Sequence, residues 1–477
     1  MHPVRLAAVA AAASAAAPET VAFASATNAW GLKPALAALL RVRRVYPTGV
    51  GTFLVADNDV LECRERRIPR DATSGPWWQA GKNEAPCVAT DRQVERAKKE
   101  GIEMLEIDRN DPFVRLVERL RYKNPAVHRH YKTPWPKHCY MPMVVPELLH
   151  KKGYKYTVTI DYDVFAADAR LLDELDSVKG VGMIRVYPKE CWDDEAPQRL
   201  EPHERGELLR GYPAFFDRDA LALMKNAAGP GGYAFRDGTN YGVLAFNNQR
   251  MAAVRWSTWC GAVANATGGY MSGGQDLINL AVGRTDVDVH YLDARHNVQL
   301  AFPAEQHQQK ASRGWMGAPY CAYGFATPLA AAAAAASGDR ATAYAPVSMA
   351  HFVWLDKPWT TNAEGLAANF PEKSKPWIVV ASAFWFNEWR AFVRTTFLKD
   401  EFNPDVLRPL AAPLHAYVST VRAVHCLDSP RGRALACGAN RSRADERWPA
   451  GYDVAAVRAS GVRLLGEAAW RNKLPGR

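Results

Sequence analysis

Beyond its first twenty positions, no stretch of this 477-residue chain reaches the roughly 20 consecutive apolar residues that a membrane-spanning helix needs. The run Ala330 to Ala336 is low in complexity but too short to span. None of the eight cysteines (Cys63, Cys87, Cys139, Cys191, Cys260, Cys321, Cys426 and Cys437) stands in a Cys-x-x-Cys pair, which argues against a thiolate zinc site. Charge of one sign is also scarce. Sixty Lys and Arg against 50 Asp and Glu leave +10, a mild excess that excludes a dedicated nucleic-acid binder and suits an anionic small molecule. No internal repeat is present, and the first strand is not followed by a glycine-rich phosphate loop: Thr27-Asn28-Ala29-Trp30-Gly31 offers one glycine.

What is present begins with a short basic start, Met1 to Arg5, and an apolar Ala/Ser-rich stretch to Ala17. This pattern predicts a secretory signal peptide over 1–17, with a plastid transit peptide as the alternative. Cys63–Cys87 and Cys426–Cys437 are the local disulfide candidates in a secreted chain. The sequons at Asn265 and Asn440 agree with a lumenal address. The composition, 48% hydrophobic and 23% charged, is that of a folded globular protein.

Apolar periodicity predicts a strand over Thr20–Ala26, a helix over Lys33–Val45 and a second strand over Gly51–Ala56. This β-α-β opening predicts a parallel sheet that binds ligands at the carboxyl ends of its strands. Residues 62–90 read as an inserted loop, Gln93–Gly101 as a charged helix, and Glu103–Ile107 as a strand. Tyr156–Ile160, Val181–Val186 and Gly242–Phe246 are three more strands. From about residue 366 the pattern changes to amphipathic helices broken by prolines, so 20–365 is set apart from a helical extension over 366–477.

Tyr156–Ile160 runs straight into Asp161-Tyr162-Asp163. Carboxylates at i and i+2 of an extended segment point to the same side. Converging at a strand end, they repel unless a cation lies between them. A hard divalent ion with oxygen ligands satisfies both and bridges to a diphosphate. The bland alternative is an Asp-rich turn that caps the next helix around Asp168. Far downstream stands His351-Phe352-Val353-Trp354-Leu355-Asp356-Lys357-Pro358-Trp359. Its imidazole suits a third metal ligand, and its lysine suits a phosphate.

Together these motifs resemble the family 8 glycosyltransferases, the group of glycogenin and galactinol synthase. The family's late His-Phe-x-Gly-x-x-Lys-Pro-Trp motif is matched by His351 to Trp359, with Trp354 in place of the glycine. Its Phe-Asn-x-Gly-Val strand is matched by Thr239-Asn240-Tyr241-Gly242-Val243. Its Asp-Gln-led segment looks like Gly274-Gln275-Asp276-Leu277-Ile278-Asn279, where the leading Asp has become Gly274. Leu292 to Asn297 is similar to its Leu-Pro-x-x-aromatic-Asn segment, and Ser25 to Trp30 sits where its first strand ends.

The resemblance covers roughly 20–360. It implies a GT-A, Rossmann-like fold with a mostly parallel central sheet flanked by helices, and a retaining, metal-dependent transferase. The donor it implies is a UDP-sugar, and the acceptor a glycan, protein or polyol. Asp161, Asp163 and His351 are implied to hold Mn²⁺, with Mg²⁺ as the alternative. Thr27, Asn28, Trp30, Lys137, Tyr162, Asn240, Gly242, Asn297 and Lys357 are implied to bind the nucleotide sugar, with Trp30 stacking on the base. Gln275, Asp276 and Lys357 are implied to serve the chemistry. The replacements at Gly274 and Trp354 favour one competing reading, an inactive relative that binds a glycan or nucleotide. A nucleotidyltransferase ranks low because the glycine-rich loop is missing.

Overall fold

The computed structural model describes residues 20–27, 31–56, 86–108, 110–121, 137–187, 225–228, 232–234, 236, 238–266, 274–300, 331, 343–344, 346–352, 357–361 and 376–410. The expected leader over 1–17, both candidate disulfides, most of the alanine run and Trp354 lie outside the described residues. Cys139 and Cys260 are buried, and neither is in a disulfide among the described residues. No helix among the described residues is long and apolar enough to cross a membrane.

Seven strands form the central sheet: β1 (Val21–Thr27), β2 (Val50–Ala56), β3 (Glu103–Leu105), β4 (Tyr156–Ile160), β6 (Val181–Tyr187), β7 (Gly238–Asn247) and β8 (Val289–Tyr291), with β5 (Val164–Ala166) belonging elsewhere. Their spatial order is β3-β2-β1-β4-β7-β6-β8. All pairings are parallel except the two made by β7, which runs antiparallel to β4 and to β6. The fold is therefore α/β, with a mostly parallel sheet flanked by helices, as expected.

Period-two alternation splits the core into two layers. Phe23 of β1, Val158 and Ile160 of β4, and Val243 and Ala245 of β7 face the layer built on helix Leu32–Val45. Ala22 and Ala24, then Leu244 and Phe246, face the opposite layer with Phe113, Leu149, Trp256 and Leu277. Both faces of the central strands are buried, which is why they read as unbroken apolar and β-branched runs.

Element boundaries moved in a few places. The charged helix spans Pro86–Lys99 and so takes up the end of the expected loop. It stops before Gly101, whose φ of 78° is the left-handed conformation that ends helices and that glycine adopts without strain. β3 is shorter than expected, and β7 begins at Gly238. The helix Pro376–Val393 is not amphipathic. Val380, Trp385, Phe386, Trp389 and Val393 pack into the same layer as Leu32–Val45, and this helix is buried on nearly every side.

A second, three-stranded sheet has the order β5-β10-β9, with β9 at Val298–Gln299 and β10 at Met349–His351. β10 pairs antiparallel with β5 and parallel with β9.

Candidate metal and donor site

The strand order reverses between β1 and β4, and ligands of doubly wound sheets bind outside the strand ends at such a point. Ala24 pairs with Thr159, so Thr27 and Asp161 lie three and two residues further along at the same edge. Because β7 is antiparallel, its first residues reach that edge too. Ile160 pairs with Val243, and the Asp161 N–H donates to the Gly242 carbonyl at 2.9 Å. After Asp161 the chain turns tightly, with the Val164 N–H donating to the Asp161 carbonyl at 3.1 Å. It then enters β5, where Val164 pairs with His351. Thus β10 delivers an imidazole beside Asp163 from 188 positions away.

One ligand atom from each of Asp161, Asp163 and His351 lies within 4.8 Å of the others. His351 Nε2 stands 3.1 Å from Asp163 Oδ1 and 3.8 Å from Asp161 Oδ2. Lys357 Nζ donates to Asp163 Oδ2 at 2.5 Å and also to the Phe352 carbonyl. Asp161, with 26% of its side chain exposed, has no lysine or arginine counter-ion among the described residues. Burial, followed by the charge of Asp163, pushes it up to about 7 against partial compensation from His351 and Lys357. Asp163 moves the other way: burial raises it, but the Lys357 and His351 charges and hydrogen bonds outweigh this and hold it below the usual carboxylate range.

An amide chain orients the imidazole. The Gly242 N–H (3.0 Å) and Asn297 Nδ2 (2.9 Å) both donate to Asn240 Oδ1. Asn297 therefore turns its carbonyl oxygen to His351 Nδ1, which donates to it at 2.8 Å. With Nδ1 turned to Asn297, Nε2 is the ring nitrogen that faces the two carboxylates. Lone pairs do not face one another at such distances without a proton or a cation between them. Two hard oxygens and one imidazole nitrogen suit Mn²⁺ or Mg²⁺, so the residues fit a divalent ion.

Asn297 is itself held by the turn Ala294–Asn297. Asp293 accepts from the Arg295 N–H at its start, and buried His296 pairs with Glu174 at 2.9 Å. The helical turn Arg170–Ser177 that follows has no side-chain cap; Asp168, just before it, accepts from the Arg170 N–H at 3.0 Å.

At two positions of the site, Gly242 and Gly274, glycine is needed because something else fills its side-chain space. A Cβ on Gly242 would lie 2.2 Å from His351 Cε1 and 2.5 Å from Nδ1, and one on Gly274 would lie 1.8 Å from the Cys139 carbonyl oxygen. The departure at Gly274 from the related pattern thus has a local steric cause. Gly274→Asp, which restores the related residue, is expected to lower stability by on the order of 3 kcal/mol and to bring no gain in activity. A thermal melt unchanged from the parent would refute this packing argument.

Of the other residues singled out in the sequence, Gln275 lies beside Asn240, whose Nδ2 donates to its Oε1 at 2.9 Å. Tyr162 packs its ring between Trp359 (6.1 Å between centroids) and His138 (6.4 Å). Thr27 is buried at the carboxyl end of β1. Asn28 and Trp30, and the side chains of Lys137 and Asp276, lie outside the described residues. The sequence reading missed the role of Asn279, which clamps the start of β7 by accepting from Thr239 N–H and Oγ1 and donating to its carbonyl. It also missed Arg390, which binds the turn carrying Lys357. Asn279 closes the segment Gly274–Asn279 singled out in the sequence, whereas Arg390 has no local motif to mark it.

No protein-family model matches the chain, and no curated protein matches it. It is similar to several solved structures. WbbM, a bifunctional glycosyltransferase in its apo form, is 12% identical over 81% of this chain and 52% of that one, with a TM-score of 0.43. The galactosyltransferase LgtC in complex with donor and acceptor sugar analogs is 16% identical over 78% and 99%, with a TM-score of 0.36. Mouse xyloside xylosyltransferase 1 in its apo form is 14% identical over 60% and 90%, with a TM-score of 0.32. The chain spans about half the length of WbbM. With TM-scores below 0.5, none of these likenesses bears on what this chain does.

Proposed function

We propose that the chain is a metal-dependent, retaining glycosyltransferase of the GT-A type, similar to family 8, that uses a UDP-sugar and works in the secretory pathway. One observation carries the reading: Asp161, Asp163 and His351 converge at the carboxyl end of β4, at the sheet's switch point, with Lys357 attached. The motif order along 20–360 supplies the sugar-nucleotide part.

In this reading Asp161, Asp163 and His351 Nε2 hold the divalent ion, and Asn297 and Asn240 keep the imidazole turned toward it. The ion, when bound, supplies Lewis-acid stabilisation of the charge that grows on the departing diphosphate. Lys357 adds a fixed positive charge for the same oxygens, and charges placed in advance usually contribute the largest catalytic term. Thr27, Asn28 and Trp30 bind the base. Gln275, whose orientation is set by Asn240, presents its amide to the sugar beside Asp276.

The test is UDP release from UDP-glucose, UDP-galactose, UDP-xylose and UDP-glucuronic acid, with and without Mn²⁺. Metal-stimulated release from one of them is expected. No release from any donor, together with retained UDP binding, would instead favour an inactive nucleotide-binding relative.

A pH dependence follows from Asp161. Its folded-state value of about 7 lies above its ordinary 3.8, so between those limits the folded protein holds a proton that the unfolded chain has lost. Stability from this group is present at low pH and is lost as pH rises through 7. A metal must displace that proton, so affinity should fall roughly tenfold per unit below pH 7. The thermal shift produced by Mn²⁺ is expected to grow from pH 5.5 to 7.5; a shift flat across that range contradicts the assignment.

A further inference from the structure

We propose that Arg390, on the helix Pro376–Val393, is a positioning residue for Lys357. The proposal rests on the functional reading above and extends it to a part of the chain outside the resemblance.

Lys357 opens a tight turn. The Thr360 and Thr361 N–H groups donate to its carbonyl at 3.0 Å each, and Thr361 Oγ1 donates to it at 2.9 Å. Arg390 grips both flanks of this turn. Its Nε donates to the Pro358 carbonyl at 3.1 Å and its Nη2 to the Thr361 carbonyl. Its Nη1 donates to the Arg408 carbonyl at 2.6 Å, which ties the segment after the helix to the same guanidinium.

Only 1% of Arg390 is exposed, and no carboxylate among the described residues pairs with it. Burial, then the charge of Arg394, brings it down to about 10. A buried guanidinium satisfied only by main-chain oxygens is an expensive residue where packing alone is needed. Its rigid fork does, however, hold several carbonyls in one fixed arrangement, which an ammonium does not.

A second contact runs in parallel. Trp389, the preceding residue, packs on Trp359 of the turn at 5.5 Å, and Trp359 packs on Tyr162 between the two aspartates. The helix therefore fixes the lysine's turn relative to the carboxylates from both sides. With its backbone held, Lys357 reaches Asp163 when the site holds no cation, and the diphosphate when it does.

The experiment is a double-mutant cycle on the full chain, with UDP binding in Mn²⁺ and Mn²⁺ binding alone both measured by calorimetry. Lys357→Ala and Arg390→Gln are each expected to weaken UDP binding roughly tenfold, the loss of one charge-assisted contact. The double variant should lose no more than either single one. Mn²⁺ alone should bind both variants at least as tightly as the parent, because the ammonium competing for Asp163 is gone or displaced. General damage to the fold would instead weaken both ligands. Additive losses, or unchanged UDP binding in Arg390→Gln, overturn the proposal.

Should Arg390→Gln fail to fold, Thr361→Val loosens the same turn from within and enters the same cycle. If the parent itself binds no UDP, the functional reading falls and the Mn²⁺ arm decides alone. Equal, non-additive tightening in the two variants then keeps the positioning role, and independent effects remove it.

Discussion

Replacing Asp161 and Asp163 together by alanine is expected to reduce metal-stimulated UDP release by about 10³-fold or more. Losing the ion forfeits several kcal/mol of charge stabilisation, and each 1.36 kcal/mol is a factor of ten. The single replacements separate the two roles. Asp161→Asn removes a carboxylate that burial and Asp163 already disfavour as an anion. At pH 8 the metal-free protein should therefore melt no lower than the parent, and about 1 kcal/mol more stable is the expected direction. Asp163→Asn removes the counter-ion of Lys357 and the partner of His351. An uncompensated, half-buried cation remains, and the melt should fall. Both lose metal-dependent turnover. Undiminished turnover in the double variant would end the metal assignment, and equal melts in the two single variants would end the distinction drawn between the aspartates.

Gly242→Ala is expected to lower Mn²⁺ affinity by about 10–100-fold, the usual cost of disturbing the shell that orients a ligand. The added methyl would occupy the place of the His351 ring. Since the Gly242 N–H also anchors the Asn240–Asn297–His351 chain, the ring is pushed while its hydrogen-bond partners stay in place. The strain costs a further 1–3 kcal/mol in the fold. A titration that finds parental Mn²⁺ affinity in a folded Gly242→Ala protein would show that the imidazole does not need this seat.

Much of the sheet was legible in the sequence because its central strands are buried on both faces and read as unbroken apolar runs. Tyr156–Ile160 is recovered residue for residue, and Val21–Thr27 and Leu32–Val45 within one. The ends were less so. Gly101 stops its helix two residues earlier than the charge pattern implies, and β7 starts four residues early because Asn279 clamps Thr239. The late aromatic helix was misjudged as amphipathic, since its many Trp and Phe side chains are shared between the sheet layer and the segment that follows it.

At the site, the Asp-x-Asp triplet and the His-to-Lys spacing were visible, because both are local patterns with a chemical meaning. That Asp161 and Asp163 carry opposite shifts was not visible, since two identical side chains differ only in which cation the fold brings near. Nor was it apparent that Asn297 and Asn240 fix the imidazole, or that Arg390 holds the turn of Lys357. By itself the sequence determined which strands are buried, where a carboxylate pair leaves the sheet and which lysine follows which histidine, all set within a few residues by backbone periodicity. Only the tertiary structure decided that β10 pairs with β5, which brings His351 to Asp163. Contacts between distant segments depend on strand pairing and packing that no local window contains.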